Sequence, residues 1–376
     1  MPSDVGSAAP DHTVSVLLVL AQSTGGIGRH VKTLAQGLAQ RGVEVTVCAP
    51  GPTIAALDLD SLDARVVPAP LGSAAPAAVR TSRQVLRREA ARVDLAHAHG
   101  LRAGADCVAF VPRTPLVVTW HNAPIGGRLW RLTHAALTRY VARSTDLTLA
   151  ASDDLAADAK AAGAALVRSA FVTAPALGAA RRNATQVRDE LGVGTRPLVL
   201  AVGRLQRQKR LDVLVEAAAA WAGDDGSPVV VIAGDGPAGD DLAAQIAATH
   251  APVRLLGARD DVADLLAAAD VVALPSQWEA RALVAQEALR AGVPLVTTAV
   301  GGLPSLLGDA AMTVPVGDAA ALRAAIEEVL ADPARRERMV TLGLARARSW
   351  PDEQRSLDDL VQTYLDLIRR VRLDPA

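Results

Sequence analysis

Val271-Val272-Ala273-Leu274-Pro275-Ser276-Gln277-Trp278-Glu279-Ala280-Arg281-Ala282-Leu283-Val284-Ala285-Gln286-Glu287-Ala288 holds the repeating unit of this chain in one stretch. Residues 271–274 form a short apolar run bounded by a proline, which reads as a buried strand, and helical spacing then takes over at 284–291. The same strand–loop–helix unit recurs in both directions. In the second half, strands are expected at 197–202, 229–233, 253–256 and 295–298, with helices at 211–221, 240–249 and 262–268. In the first half, strands are expected at 14–20, 43–48, 95–98, 116–119 and, more weakly, 147–150. Helices are expected there at 28–40 and 78–92. Apolar strands alternating with amphipathic helices make parallel sheets covered on both faces. The expected fold is α/β, with two doubly wound, Rossmann-like domains facing across a cleft.

The division follows composition. Residues 1–12 read as a disordered lead, 13–175 as the first domain and 176–195 as a linker containing Gly178, Arg181, Arg182 and Asn183. Residues 196–350 form the second domain, and 351–376 carry one more helical pattern. The chain has 376 residues, 50% of them hydrophobic and 21% charged, enough for two buried cores. A formal net charge of −1 argues against a nucleic-acid binder. Two cysteines, Cys48 and Cys107, make neither a disulfide framework nor a zinc site and suit a cytoplasmic setting. The run at 14–21 follows Asp4 and Asp11 rather than basic residues, so it reads as a strand and not as a signal peptide. No run is long enough to span a membrane.

Ligands of such sheets bind at the carboxyl ends of the strands. The first strand runs into Ser23-Thr24-Gly25-Gly26-Ile27-Gly28-Arg29-His30, a glycine turn opening a helix, where free N–H groups favour a phosphate. The glycine spacing does not match a nicotinamide fingerprint, and a plain tight turn is the blander reading. After 197–202 come Gly203, Arg204 and Lys209, cations able to converge on a diphosphate. Lysine is rare here, with Lys32, Lys160 and Lys209 set against 36 arginines, so the position of Lys209 is informative. In the opening stretch, Glu279 lies in the loop and Glu287 in the helix. Were all eight steps helical they would rise about 12 Å, the reach from a ribose to a sugar across a diphosphate. The N–H groups of Leu283 and Val284 would face the phosphates between them.

Thr119-Trp120-His121-Asn122 follows a strand and puts His121 at the cleft edge, with a satisfied core histidine as the plain alternative. His97 and His99 face one side of a strand end; without an accompanying carboxylate or cysteine motif, structural use outweighs metal binding. Asp58-Leu59-Asp60 imitates an acidic metal pair, but it sits among turn residues and reads as surface. Arg80, Arg83, Arg87, Arg88 and Arg92, and likewise Arg128, Arg131, Arg139 and Arg143, mark two basic helical stretches. A solvated face is the simpler reading of each, and contact with anionic lipid the sharper one.

Together these residues resemble the family 4 glycosyltransferases, retaining enzymes of the GT-B fold. The resemblance runs through Gly25-Gly26, His99, His121, Gly203-Arg204 with Lys209, Gly234-Asp235-Gly236-Pro237, and Glu279 to Glu287. It continues through Gly292-Val293-Pro294, Gly301-Gly302-Leu303-Pro304 and Gly317-Asp318. It implies transfer of a hexose-type sugar from a UDP- or GDP-sugar to a hydroxyl acceptor, with no metal or other cofactor. The acceptor would be a glycan, a lipid or a small molecule, including a lipid-linked or cell-envelope glycan precursor. The two basic helical stretches, rather than the resemblance, point to the last of these and to a peripheral position at the inner face of the cytoplasmic membrane.

By that resemblance His121, Arg204, Lys209 and Glu279 are the catalytic set. Gly25, Gly26, Gly203, Gly234, Gly257, Leu283, Val284 and Glu287 join Arg204, Lys209 and Glu279 around the donor. Gly26, His30, His99 and His121 lie on the acceptor side. The last helix is expected to return to the first domain. The family commonly has Glu-Gly-Phe-Gly where this chain has Glu279-Ala280-Arg281-Ala282, a change tolerable only where no positive φ is needed. The alternatives are a GT-B sugar-nucleotide epimerase and a non-catalytic nucleotide-sugar binder.

Overall fold

The structure is a computed structural model that describes residues 13–23, 25–111, 113–123, 128–170, 172–174 and 177–373; for 128–132 the side chains are not described. The lead expected at 1–12 therefore lies outside the described residues, as do Thr24 of the glycine turn and the side chains of Arg128 and Arg131.

Among the described residues the strands form two all-parallel sheets. The first contains β1 (Ser15–Leu20), β2 (Glu44–Ala49), β3 (Arg65–Pro68), β4 (Leu95–His99), β5 (Leu116–Trp120), β6 (Leu147–Ala150) and β7 (Val167–Ser169), in the order β3-β2-β1-β4-β5-β6-β7. The second contains β8 (Leu198–Val202), β9 (Val229–Ala233), β10 (Val253–Leu255), β11 (Val271–Leu274), β12 (Leu295–Thr298) and β13 (Met312–Val314), in the order β10-β9-β8-β11-β12-β13. Each order reverses once, between β1 and β4 and between β8 and β11. A crevice opens at such a switch point because the loops leave in opposite directions.

These strands are apolar on both sides because both sides are covered. Alternate residues point to opposite faces. Val199, Ala201, Val230 and Ile232 enter one core of the second sheet, and Leu198, Leu200, Val229 and Val231 enter the other.

The chain divides into two compact units. One takes in the chain up to Ala151, Leu155–Ala170 and the stretch from Glu353; the other takes in Ser152–Asp154 and Phe171–Asp352. The final helix, Glu353–Leu373, buries Leu357, Tyr364, Leu367 and Ile368 in the same core as Leu34 and Leu38 of the helix Gly26–Ala39. Gly37 makes that packing possible, since a Cβ there would lie 2.3 Å from Leu357 Cδ1.

The expected linker needs correction. Residues Ala184–Glu190 are helical, capped by Asn183, whose side chain accepts from the Gln186 N–H while Gln186 reaches back. Val187, Leu191 and Val193 are core residues of the second unit. Their apolar spacing was masked by the polar residues of the cap. Val172 and Ala174, assigned by composition to the first domain, are tied to the second unit through the buried Gln286: its amide donates to Val172 O at 3.0 Å and accepts from Ala174 N at 3.0 Å. Short elements also escaped the sequence reading, among them β3, β7, β13 and the helices Gly51–Leu57, Leu101–Phe110 and Asp153–Ala161.

Candidate functional site

In the second unit Lys209 and Glu279 meet at the switch point, and the glycines singled out lie on the strand ends leading to it. The backbone leaves β8 through Gly203, β9 through Gly234 and β10 toward Gly257, and these three glycines stack. Gly203 N donates to Ala233 O at 3.0 Å, and Gly234 N donates to Gly257 O at 2.7 Å. Gly234 has φ +153° and a Cβ on it would lie 1.9 Å from Gly203 O, so only glycine fits. The result is a floor of bare backbone beside the end of β8.

Lys209 and Glu279 meet across the switch. Lys209 Nζ donates to Glu279 Oε1 at 2.6 Å, and Ser276 Oγ donates to the same oxygen at 2.6 Å. Glu279 is buried, with 8% of its side chain exposed against 20% for Lys209. Sequence reasoning passed over Ser276; its place three residues before Glu279 in the same loop was the available signal. Gln208 pins the two loops together, its Nε2 donating to Trp278 O at 2.7 Å and its carbonyl accepting from Gln277 N at 2.8 Å. Arg204 is exposed, two residues beyond the end of β8.

The Glu279 loop does not continue the helix. The helix spans Leu283–Arg290, so the eight helical steps considered between Glu279 and Glu287 reduce to a loop followed by about one turn. Pro275 and the hydrogen bonds to Ser276 and Trp278 keep that loop out of the helix: Thr298 Oγ1 donates to Ser276 O at 2.6 Å. The helix start has no side-chain cap, which leaves its first N–H groups available at Leu283 and Val284. Ala280 and Ala282 are absent from the positive-φ residues, and Ala282 has φ −62°, so replacing the family's glycines strains nothing here. Arg281 is half-buried beside Asp153; burial lowers its pKa and the Asp153 charge opposes that.

The first unit carries a cluster of histidines. His97, His99 and His121 are buried, and His30, on the helix Gly26–Ala39, retains some exposure. His99 Nδ1 and His121 Nε2 lie 3.2 Å apart. The His30 ring stands edge-on to both, with centroids at 5.8 and 5.6 Å. His97 is the satisfied structural histidine: Nδ1 lies 2.6 Å from Tyr364 Oη and Nε2 lies 2.6 Å from Thr119 Oγ1. Tyr364, one of two tyrosines in the chain, was not singled out from sequence.

Desolvation disfavours the charged form of all four rings. It pushes His30 down to about 4 and His97 to about 3, and it holds His99 and His121 well below the ordinary range. The cluster is neutral at physiological pH.

The remaining candidates separate. Arg88 and Arg92 turn to the buried Glu89, which also binds Arg65. Burial opposes the charge on Glu89, but hydrogen bonds from Arg65 and Arg88 outweigh it and hold the carboxyl below its ordinary range. Arg80, Arg83 and Arg87 stay exposed along one side of the helix Pro76–Ala90. Asp58 is an exposed helix end in the left-handed region. A cavity of about 240 Å³, also missed from sequence, opens over Trp120 between Leu101, Asn122, Thr138 and Asp158. Among the described residues no helix is long and apolar enough to cross a membrane.

Known proteins resemble both halves. Residues 183–344 match the family described as Glycosyl transferases group 1, and residues 24–168 match Glycosyltransferase Family 4. The chain is 31% identical over 364 residues to a 2-deoxystreptamine N-acetyl-D-glucosaminyltransferase of Streptomyces fradiae, covering 85% of each chain. It is 30% identical over 288 residues to an alpha-D-kanosaminyltransferase of Streptomyces kanamyceticus, covering 69% of this chain and 74% of the other. Among solved structures, Anabaena HepE in complex with UDP and glucose shares the fold with a TM-score of 0.78 at 21% identity, over 93% of this chain and 99% of that one.

Proposed function

We propose a specific transfer for this chain, which belongs to glycosyltransferase family 4 and is a glycosyltransferase of the GT-B fold. A hexose-type sugar passes from a UDP- or GDP-sugar to a hydroxyl acceptor, with retention at the anomeric carbon. The observation that carries this reading is the meeting of Lys209 and Glu279 at the switch point, beside the glycine floor.

Arg204 and Lys209 hold the diphosphate, and the N–H groups of Leu283 and Val284 add partial positive charge. Glu287 accepts from the ribose hydroxyls and Glu279 from the donor sugar. Gly203, Gly234 and Gly257 let the donor approach the backbone. In the first unit, Gly26, His30, His99 and His121 serve the acceptor side, with His121 at the reaction centre and Gly25 beside it in the turn. As the sugar–phosphate bond breaks, charge grows on the leaving diphosphate and the two cations stabilise it. The acceptor hydroxyl attacks from the same face and its proton passes to the leaving phosphate. Protein cations supply the positive charge, so activity should survive EDTA.

The relatives named above are named for transfer of kanosaminyl and N-acetyl-D-glucosaminyl groups, the latter to 2-deoxystreptamine, which favours a small-molecule acceptor. The exposed Arg80, Arg83 and Arg87 support a lipid-linked one instead. The test is a panel of UDP-, GDP- and ADP-sugars scored for thermal stabilisation and slow donor hydrolysis. Stabilisation and hydrolysis with a UDP- or GDP-sugar are expected, and a protein indifferent to the whole panel would overturn the reading. Anomeric coupling constants of the product check retention.

A further inference from the structure

The two facing histidines of the first unit are an incomplete pair. The His99 and His121 rings are inclined by only 21°, with centroids 5.5 Å apart and facing nitrogens at 3.2 Å, so they meet edge to edge. A neutral imidazole carries one N–H and one lone pair. One ring therefore donates and the other accepts, and the choice sets which nitrogen of each ring is left over.

The leftover nitrogens differ. His99 Nε2 is buried and has no hydrogen-bond partner. His97, whose ring centroid is 4.2 Å from that of His99, cannot serve it, because both His97 nitrogens are engaged with Tyr364 and Thr119. If His121 donated, His99 would keep an N–H at this enclosed position with no acceptor. If His99 donates from Nδ1, only a lone pair is left there. Buried N–H groups without acceptors are the rarer kind of orphan. In the second arrangement His121 Nε2 accepts, and the His121 proton sits on Nδ1.

We propose that His99 is a positioning residue that locks His121 in the Nδ1–H form, so that His121 meets substrate as a neutral hydrogen-bond donor and not as a proton acceptor. This rests on the reading above that His121 faces the reaction centre. In that role His121 donates to an oxygen of the donor sugar or the leaving group. It takes no proton from the acceptor hydroxyl, which leaves that proton to the departing phosphate.

The test is long-range proton–nitrogen NMR on the full chain labelled with [15N]histidine at neutral pH, with His121→Asn used to assign the signals. The expected spectrum shows His121 with a pyrrole-type Nδ1 and a pyridine-type Nε2. A pyridine-type Nδ1 would overturn the proposal whatever the activity. Kinetics give a second readout. His99→Asn, whose amide can still donate, should keep the tautomer. His99→Asp, which can only accept, should reverse it and lower kcat at least tenfold with little change in KM for the donor. Equal loss in both variants would contradict the lock. If His121→Asn itself leaves kcat unchanged, the placement of His121 at the reaction centre fails, and the tautomer result still stands or falls separately.

Discussion

Lys209 shows how one residue ties recognition to stability. It was legible in the sequence because this chain so seldom uses lysine, yet nothing there indicated its partner. The structure supplies a buried carboxylate at 2.6 Å, which loses its counter-charge when the lysine goes. Lys209→Ala should therefore lower kcat by about 10²–10³-fold and also cost about 1–3 kcal/mol of stability. Adding Glu279→Gln removes the stranded charge. The double variant should regain most of the lost melting temperature in thermal denaturation and none of the turnover. Ser276, Tyr364 and Trp120 were less legible, because their roles come from neighbours distant in sequence.

Loops and helices carry the next set of expectations. The turn after β12 packs directly on the Glu279 loop: a Cβ on Gly302 would lie 2.0 Å from Ala280 O, and one on Gly301 would lie 2.1 Å from Glu279 O. Gly302→Ala should displace that loop, lower the melting temperature and raise KM for the donor, measured by initial rates. Ala282→Gly, at a site with ordinary φ, should cost about 0.4–1 kcal/mol in backbone entropy and about 0.8 kcal/mol more for the methyl lost from the core. The strand ends were readable from apolar runs because both faces of each sheet are buried. The helix expected at 284–291 is found at Leu283–Arg290, with Glu279 in the loop before it as read; what the sequence left open was the path of Ala280-Arg281-Ala282, set by Pro275 and the hydrogen bonds around it.

The histidine cluster adds a pH dependence to the docking of the final helix. His97, near 3 when folded, has an ordinary value of 6.5. Below 6.5 the unfolded chain binds a proton that the folded protein excludes. Stability is thus fully present above that pH and declines as pH falls, by about 1.4 kcal/mol per unit for each excluded proton. Melting temperature should drop between pH 7 and 5. His97→Gln should lower it at pH 7 and flatten the decline; a slope identical to wild type would contradict this origin.

At the scale of the whole molecule, alternation of strands and helices identified two doubly wound sheets, and both strand orders bear out that fold class. What composition obscured was the boundary. Polar residues around Asn183 look like a linker, but they cap a helix that belongs to the second core. Each sheet places its candidate residues at its own switch point: Gly26, His30 and His99 around β1 and β4, and Gly203, Lys209 and Glu279 around β8 and β11. The chain is a glycosyltransferase, and the donor site proposed for it lies at the switch point of the second unit, at Lys209 and Glu279.

The most direct measurement is a crystal structure with a bound UDP- or GDP-sugar that stabilises the protein. The expected density places the diphosphate against Arg204 and Lys209, the ribose at Glu287 and the sugar at Glu279. A nucleotide sugar seated away from Lys209 and Glu279 would contradict the assignment.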